Sequence, residues 1–164
     1  MTAAFNRAAG LLNGLFLVAG GIFMVLMMLH IAAEVILRYF GVVMHGTLEV
    51  VSFYYMVCVV FLPMGYVELR NEHIRVDLFA QMMPVSAQLA LYVMACLLGL
   101  LFFGMLGWQT FQDAMRATRG GQTAMANFTF YIWPARWALP IGFAGLCCAV
   151  LANLMRALAT RRAL

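Results

Sequence analysis

The chain has 164 residues, 66% of them apolar and only 10% charged, with a net charge of +4 and a mean hydropathy of +0.95. Soluble domains carry about a quarter charged residues, so this composition excludes an ordinary soluble protein and indicates an integral membrane one. All ten basic residues are arginine, which excludes Schiff-base chemistry on a lysine; they cluster near helix ends, where they meet lipid headgroups rather than nucleic acid.

Four uncharged runs follow one another: Leu11 to Leu29, Val50 to Val67, Leu89 to Trp108 and Trp137 to Met155. Each comes near the ~20 residues that a helix rising ~1.5 Å per residue needs to cross a ~30 Å hydrocarbon layer. They predict an all-α integral membrane protein, one domain over 1–164, with spans at approximately 11–37, 48–67, 86–108 and 135–156. The first run is longer than a secretory h-region of roughly 7–15 residues and no clear cleavage pattern follows it, so it is expected to remain as the first helix. Arg7, Arg70, Arg75, Arg156, Arg161 and Arg162 fall on one side, and Arg38, Arg116, Arg119 and Arg136 on the other. That asymmetry predicts both termini inside. Trp108, Trp133 and Trp137 then form an anchoring belt at the outer interface.

The first helix continues into HIAAEVILRY, which sets His30, Glu34 and Arg38 at i, i+4 and i+8 on one face. Glu before Arg is the favourable order for a helical ion pair. An unpaired charge at mid-bilayer costs roughly 2.5–3.5 kcal/mol on insertion scales, so this stripe is either an interfacial salt bridge, a seam facing a partner, or a proton or ion relay. The spacings Gly10/Gly14, Ala138/Gly142 and Gly145/Ala149 allow close helix approach. Glu49 opens the second helix one turn after His45, and Pro63 near its end removes a backbone donor and permits a kink.

Between the second and third helices, ELRNEHIRVD packs five charges and a histidine into ten residues. Glu68, Arg70, Glu72, Arg75 and Asp77 alternate in sign and interleave with apolar residues, a composition suited to a short interfacial segment. One histidine, His73, beside Glu72 and Asp77 is poor material for a metal site, and none is expected. The third helix can extend past Trp108 through QTFQDAMRATRGG, with Asp113 three residues before Arg116 and a glycine pair as its cap. Such an extension projects about 16 Å, as a docking surface carrying Asp113, Arg116 and Arg119 or as a frayed loop. Pro134 suits the first turn of the fourth helix and Pro140 should bend it. Cys58, Cys96, Cys147 and Cys148 all lie within spans and read as small hydrophobes.

Together these residues resemble a known family. E-x-x-x-R-Y at Glu34 to Tyr39, the acid Glu49, R-x-x-H-I-x-V-D at Arg70 to Asp77 followed by Pro84, and W-P-x-x-W-x-x-P-x-G at Trp133 to Gly142 look like the DctQ-like small membrane subunit of tripartite ATP-independent periplasmic (TRAP) transporters. The chain departs from that pattern at Thr47 and Leu48, where the family often has a tryptophan and a second acid. The resemblance implies a non-enzymatic scaffold without a cofactor in a bacterial inner membrane. It also implies two partners, a large subunit carrying the substrate and sodium sites and a periplasmic protein that captures an organic acid. Glu34, Arg38, Glu49, Arg70, His73, Arg75 and Asp77 are then the candidate partner contacts. Two other classes stand beside it, a self-sufficient proton-coupled transporter using Glu34 and a haem-binding anchor of a redox complex. His30, His45 and His73 are poorly placed for axial pairing in the latter.

Overall fold

The computed structural model describes residues 2–42, 44, 46–70, 83–125 and 129–160. Helix α1, Thr2–Tyr39, begins well before residue 11, because TAAFNRAAG contains good helix formers and no proline. It stops at Gly41, whose φ of 83° lets Val42 N–H reach back to the Leu37 carbonyl at 2.9 Å. This left-handed turn satisfies carbonyls that the helix end would otherwise orphan.

The second span is segmented. It comprises α2 (Thr47–Val50), a π-helical turn at Val51–Tyr55, α3 (Met56–Phe61) and α4 (Met64–Leu69). Pro63 does not end the span. Having no N–H to offer the Val59 carbonyl, it breaks the ladder, and the chain resumes with Tyr66 and Val67 donating to the Pro63 carbonyl. Helix α5, Val85–Arg119, is continuous, so the stretch after Trp108 is helical. Gly121, at φ 57°, closes it, with Gln122 N–H bonded to the Ala117 carbonyl at 3.0 Å.

A two-stranded hairpin follows that the sequence reading did not anticipate, β1 (Thr123–Met125) antiparallel to β2 (Thr129–Tyr131). The fourth span is α6 (Trp133–Arg136) and α7 (Ala138–Thr160). The expected bend at Pro140 occurs instead at Trp137, between these two helices. Pro140 thereby falls in the first turn of α7, where its missing donor leaves no intrahelical bond unmade.

Helix α7 is the hub, touching α1, α3, α4 and α5. Half of the fourth span's apolar stretch is buried inside the bundle, against 6% for the first and for the third. The core is Cys96, Phe143, Leu146, Val150 and Leu154, backed by Phe61, Phe103 and Tyr92. Glycines set the spacing. A Cβ on Gly142 would collide with the Phe61 backbone, one on Gly20 would lie 2.6 Å from Pro63 Cγ, and one on Gly65 would lie 2.8 Å from the Gly145 backbone.

At that last crossing sits Asn13, fully buried. Its Nδ2 donates to the Ala9 carbonyl at 3.0 Å, while Oδ1 has no hydrogen-bond donor and lies where Cβ atoms of Gly65 and Gly145 would be. Glycine at both positions leaves the oxygen the space that a side chain would take. By contrast, a Cβ at Gly10, Gly14, Gly99 or Gly104 would meet nothing within 4 Å, and the first of the expected small-residue pairs lies on an open face.

Gly65→Ala and Gly142→Ala should each destabilise the bundle by roughly 1–3 kcal/mol through overpacking. Gly99→Ala should be neutral or mildly stabilising, since it only improves helix propensity. Thermal unfolding of the purified chain in detergent reads the difference; equal midpoints for all three would refute the packing argument.

Candidate functional site

The start of α1 and the C-terminal ends of α4 and α7 lie at one end of the bundle; the Tyr39 end of α1, the start of α2 and the hairpin lie at the other. At the hairpin end the π-helical turn presents consecutive tyrosines to different neighbours. Tyr54 donates its hydroxyl to the Tyr131 carbonyl at 2.6 Å and meets Phe130 edge-on at 5.5 Å between ring centres. Tyr55 packs edge-on against His30 at 5.8 Å, with His30 Nδ1 and the Tyr55 hydroxyl 3.4 Å apart.

The polar stripe of α1 therefore divides. His30 engages the second span, whereas Glu34 pairs with Arg38 at 2.5 Å. Glu34 is 16% exposed and Arg38 68%, so the acid lies against the helix and the guanidinium reaches outward. Glu49 occupies the first turn of α2, where a carboxylate is favoured by the exposed backbone N–H groups.

The extension of α5 is not a bare projection. Ala114 and Ala117 are buried where α5 meets α6. Trp137 Nε1 donates to Thr118 Oγ1 at 3.1 Å, and the Thr118 hydroxyl in turn donates to the Ala114 carbonyl. Phe111 meets Trp137 edge-on at 5.7 Å and stacks with Trp108. Trp108, 65% exposed, lies ten residues before Thr118, about 15 Å along the axis, so these tryptophans are stepped along the bundle. Trp133 opens α6. Asp113 and Arg116 are paired at 2.6 Å, and a cleft of about 380 Å³ lies between them, Gln122 and Arg136. Arg119 is exposed in the last turn of α5.

At the opposite end, Asn153 of α7 is fully buried. Its Nδ2 donates to the Glu68 backbone carbonyl at 2.7 Å and lies 3.3 Å from the Glu68 carboxylate. This clamp fastens the last turn of the second span to the hub. Arg70 Nε donates to the Tyr66 hydroxyl at 3.1 Å, and its guanidinium lies 5.4 Å from that ring centre. His73, Arg75 and Asp77, with His45, lie outside the described residues. Among the described residues no three His, Cys, Asp or Glu side chains converge as metal ligands would.

Sequence reasoning missed Asn13, Asn153 and Tyr54. The first two had a legible signal, an asparagine within an otherwise apolar run, where a polar side chain acts as interhelical glue.

A family model described as the DctQ component of tripartite ATP-independent periplasmic transporters matches residues 27–160. No curated protein and no solved structure matches the chain.

Asn153→Ala should lower stability by about 0.5–2 kcal/mol, in the range measured for interhelical hydrogen bonds in membranes. Tyr54→Phe should leave the spans intact but raise the rate of protease cleavage within 122–132 about fivefold, as loss of one hydrogen bond of about 1 kcal/mol allows. Limited proteolysis followed by mass mapping reads this directly, and an unchanged rate would mean that Tyr54 does not hold the hairpin.

Proposed function

The chain belongs to the DctQ family, the small membrane component of TRAP transporters, and from that premise we propose that it is a rigid, non-catalytic scaffold for a large sodium-coupled permease subunit. In this reading the assembly imports organic acids delivered by a periplasmic binding protein and sits in a bacterial inner membrane with both termini of this chain inside. The observation that carries the reading is the distribution of burial. Helix α7 is consumed by contacts within the bundle, whereas α1 and α5 present long apolar rows outward, among them Leu15, Val18, Ile22, Leu98, Leu101 and Met105. The interior between α5 and α7 is filled by apolar side chains, which suits a brace better than a conduit.

Glu34, Arg38 and Glu49 would contact the large subunit near the hairpin end, and Arg70, His73, Arg75 and Asp77 would do so at the terminal end. The Glu34–Arg38 pair supports this by its exposure. The guanidinium of the pair, 68% exposed, reaches outward, so a gripping role is where its charge would matter. Asp113, Arg116 and Arg119 would meet the periplasmic protein at the hairpin end. Trp108, Trp133 and Trp137 would hold the bundle in the interfacial layers.

Charge reversal tests the assignment. Arg38→Glu and Arg70→Glu should each reduce co-purification with the large subunit and uptake of the organic acid by about tenfold or more, the scale of a lost charge-assisted contact of about 1.4 kcal/mol. The unfolding midpoint of the isolated chain should move by less than about 1 kcal/mol equivalent. Normal assembly and uptake by both variants would reject the contact roles. Accumulation of solute by the chain reconstituted alone would reject the scaffold itself and favour a proton-coupled carrier built on Glu34.

A further inference from the structure

Between α5 and α7, toward the hairpin end, runs an open apolar groove of about 380 Å³ bordered by Phe103, Gly104, Gly107, Phe143 and Cys147. Glycines make it. A Cβ on Gly104 would meet nothing within 4 Å, so this wall of α5 is bare backbone where a side chain would fit. The rings of Trp108 and Phe111 border the groove's upper part and also a second cleft, which continues up α5 past Gln112 to Arg116 and Arg119.

Along one flank of the bundle, chemistry therefore changes in order from an apolar slot, through an aromatic collar, to two guanidinium groups with no acid among the residues bordering that upper cleft. Asp113 engages Arg116, and Arg119 makes no ion pair among the described residues.

We infer that this flank is a binding site for one anionic phospholipid, with an acyl chain in the slot beside Gly104 and Gly107 and its phosphate on Arg116 and Arg119. Geometry fits the assignment. Arg116 lies eight residues beyond Trp108, about 12 Å along the axis, and helical side chains lean toward the N-terminus, which on α5 is toward the bilayer. Both guanidinium groups thereby reach back to headgroup level above an interfacial tryptophan. Arginine is the side chain best matched to phosphate, because its planar fork donates two parallel hydrogen bonds to paired oxygens. A zwitterionic lipid places its own cation next to the same arginines. An anionic headgroup does not, and this selects the occupant by charge. The site shares Arg116 and Arg119 with the surface proposed for the periplasmic protein, so its test is made on lipid binding by the chain itself and not on transport.

The experiment is native mass spectrometry of the delipidated full-length chain titrated with phosphatidylglycerol or with phosphatidylcholine of identical acyl chains. One phosphatidylglycerol should bind with about tenfold higher affinity than phosphatidylcholine, as expected for a charge-assisted contact. The double variant Arg116→Gln with Arg119→Gln should abolish that preference while leaving the helical circular dichroism unchanged. Gly104→Leu, whose Cβ would meet nothing within 4 Å, places a side chain in the slot and should weaken both lipids about equally. Equal affinities for the two lipids in the wild-type chain, or a preference that survives the double arginine variant, would overturn the assignment. Saturating inorganic phosphate should not displace the lipid; displacement would mean a free-anion site and would likewise overturn it.

Discussion

Close approach of helix backbones around α7 is the constraint on which the rest of the structure depends. Inside a bilayer, lipid tails are as apolar as leucine, so helices associate through van der Waals contact and interhelical hydrogen bonds rather than by escaping water. Gly142 and Gly145 let the second span and α1 press onto α7, and Ala149, Ala152 and Ala157 are fully buried along the same helix. Asn13 marks how tight the crossing is, since its carboxamide oxygen rests against two glycines with no room for a methyl group. Once α7 is enclosed, the outward faces of α1 and α5 are what remains for lipid or for a neighbouring subunit.

The two ends of the bundle are fastened by different means. At the hairpin end, aromatic edges and single hydrogen bonds tie the second span to β2 and α5 to the fourth span: Tyr54 to the β2 backbone, Trp137 to Thr118, and Phe111 to Trp137. At the terminal end, Asn153 donates to the Glu68 backbone carbonyl, which a cap N–H of α4 also reaches, and so ties the end of that helix to α7. A bundle anchored at both ends and packed through its middle resists shear, which a subunit acting as a fixed brace requires.

The spans were legible in the sequence because crossing hydrocarbon demands about twenty consecutive apolar residues, and no other constraint leaves so strong a trace. The family was legible for a different reason. Its motifs sit at helix ends and in the charged segment, where the sequence stands out against an apolar background. The ion pairs Glu34–Arg38 and Asp113–Arg116 followed from helical spacing alone. The ladder breaks at Pro63, where a kink was expected, whereas the bend expected at Pro140 lies at Trp137. A missing N–H shows where a ladder can break, but whether the chain continues depends on what packs there, and Gly20 accommodates Pro63 closely. The hairpin was illegible because GGQTAMANFTFY reads as a polar linker with a few strand formers; its partner is Tyr54, more than seventy residues away. The same holds for Asn153, whose acceptor is the backbone of a residue in another helix.

The π-helical turn at Val51–Tyr55 carries a consequence for how this chain can vary. Such a turn holds one residue more than an α-helical turn, and each residue of a helix advances the side-chain direction by about 100°. The extra residue is taken up within the turn itself, where Tyr54 meets β2 and Tyr55 meets His30, while Cys58 and Leu62 further on face inward. Removing one residue here would let the turn close as ordinary α-helix while the segments on either side keep nearly their present directions, because a π turn takes up its extra residue within about the same rotation. Length at this point is buffered, since the turn can give back its extra residue and leave the contacts on both sides in register.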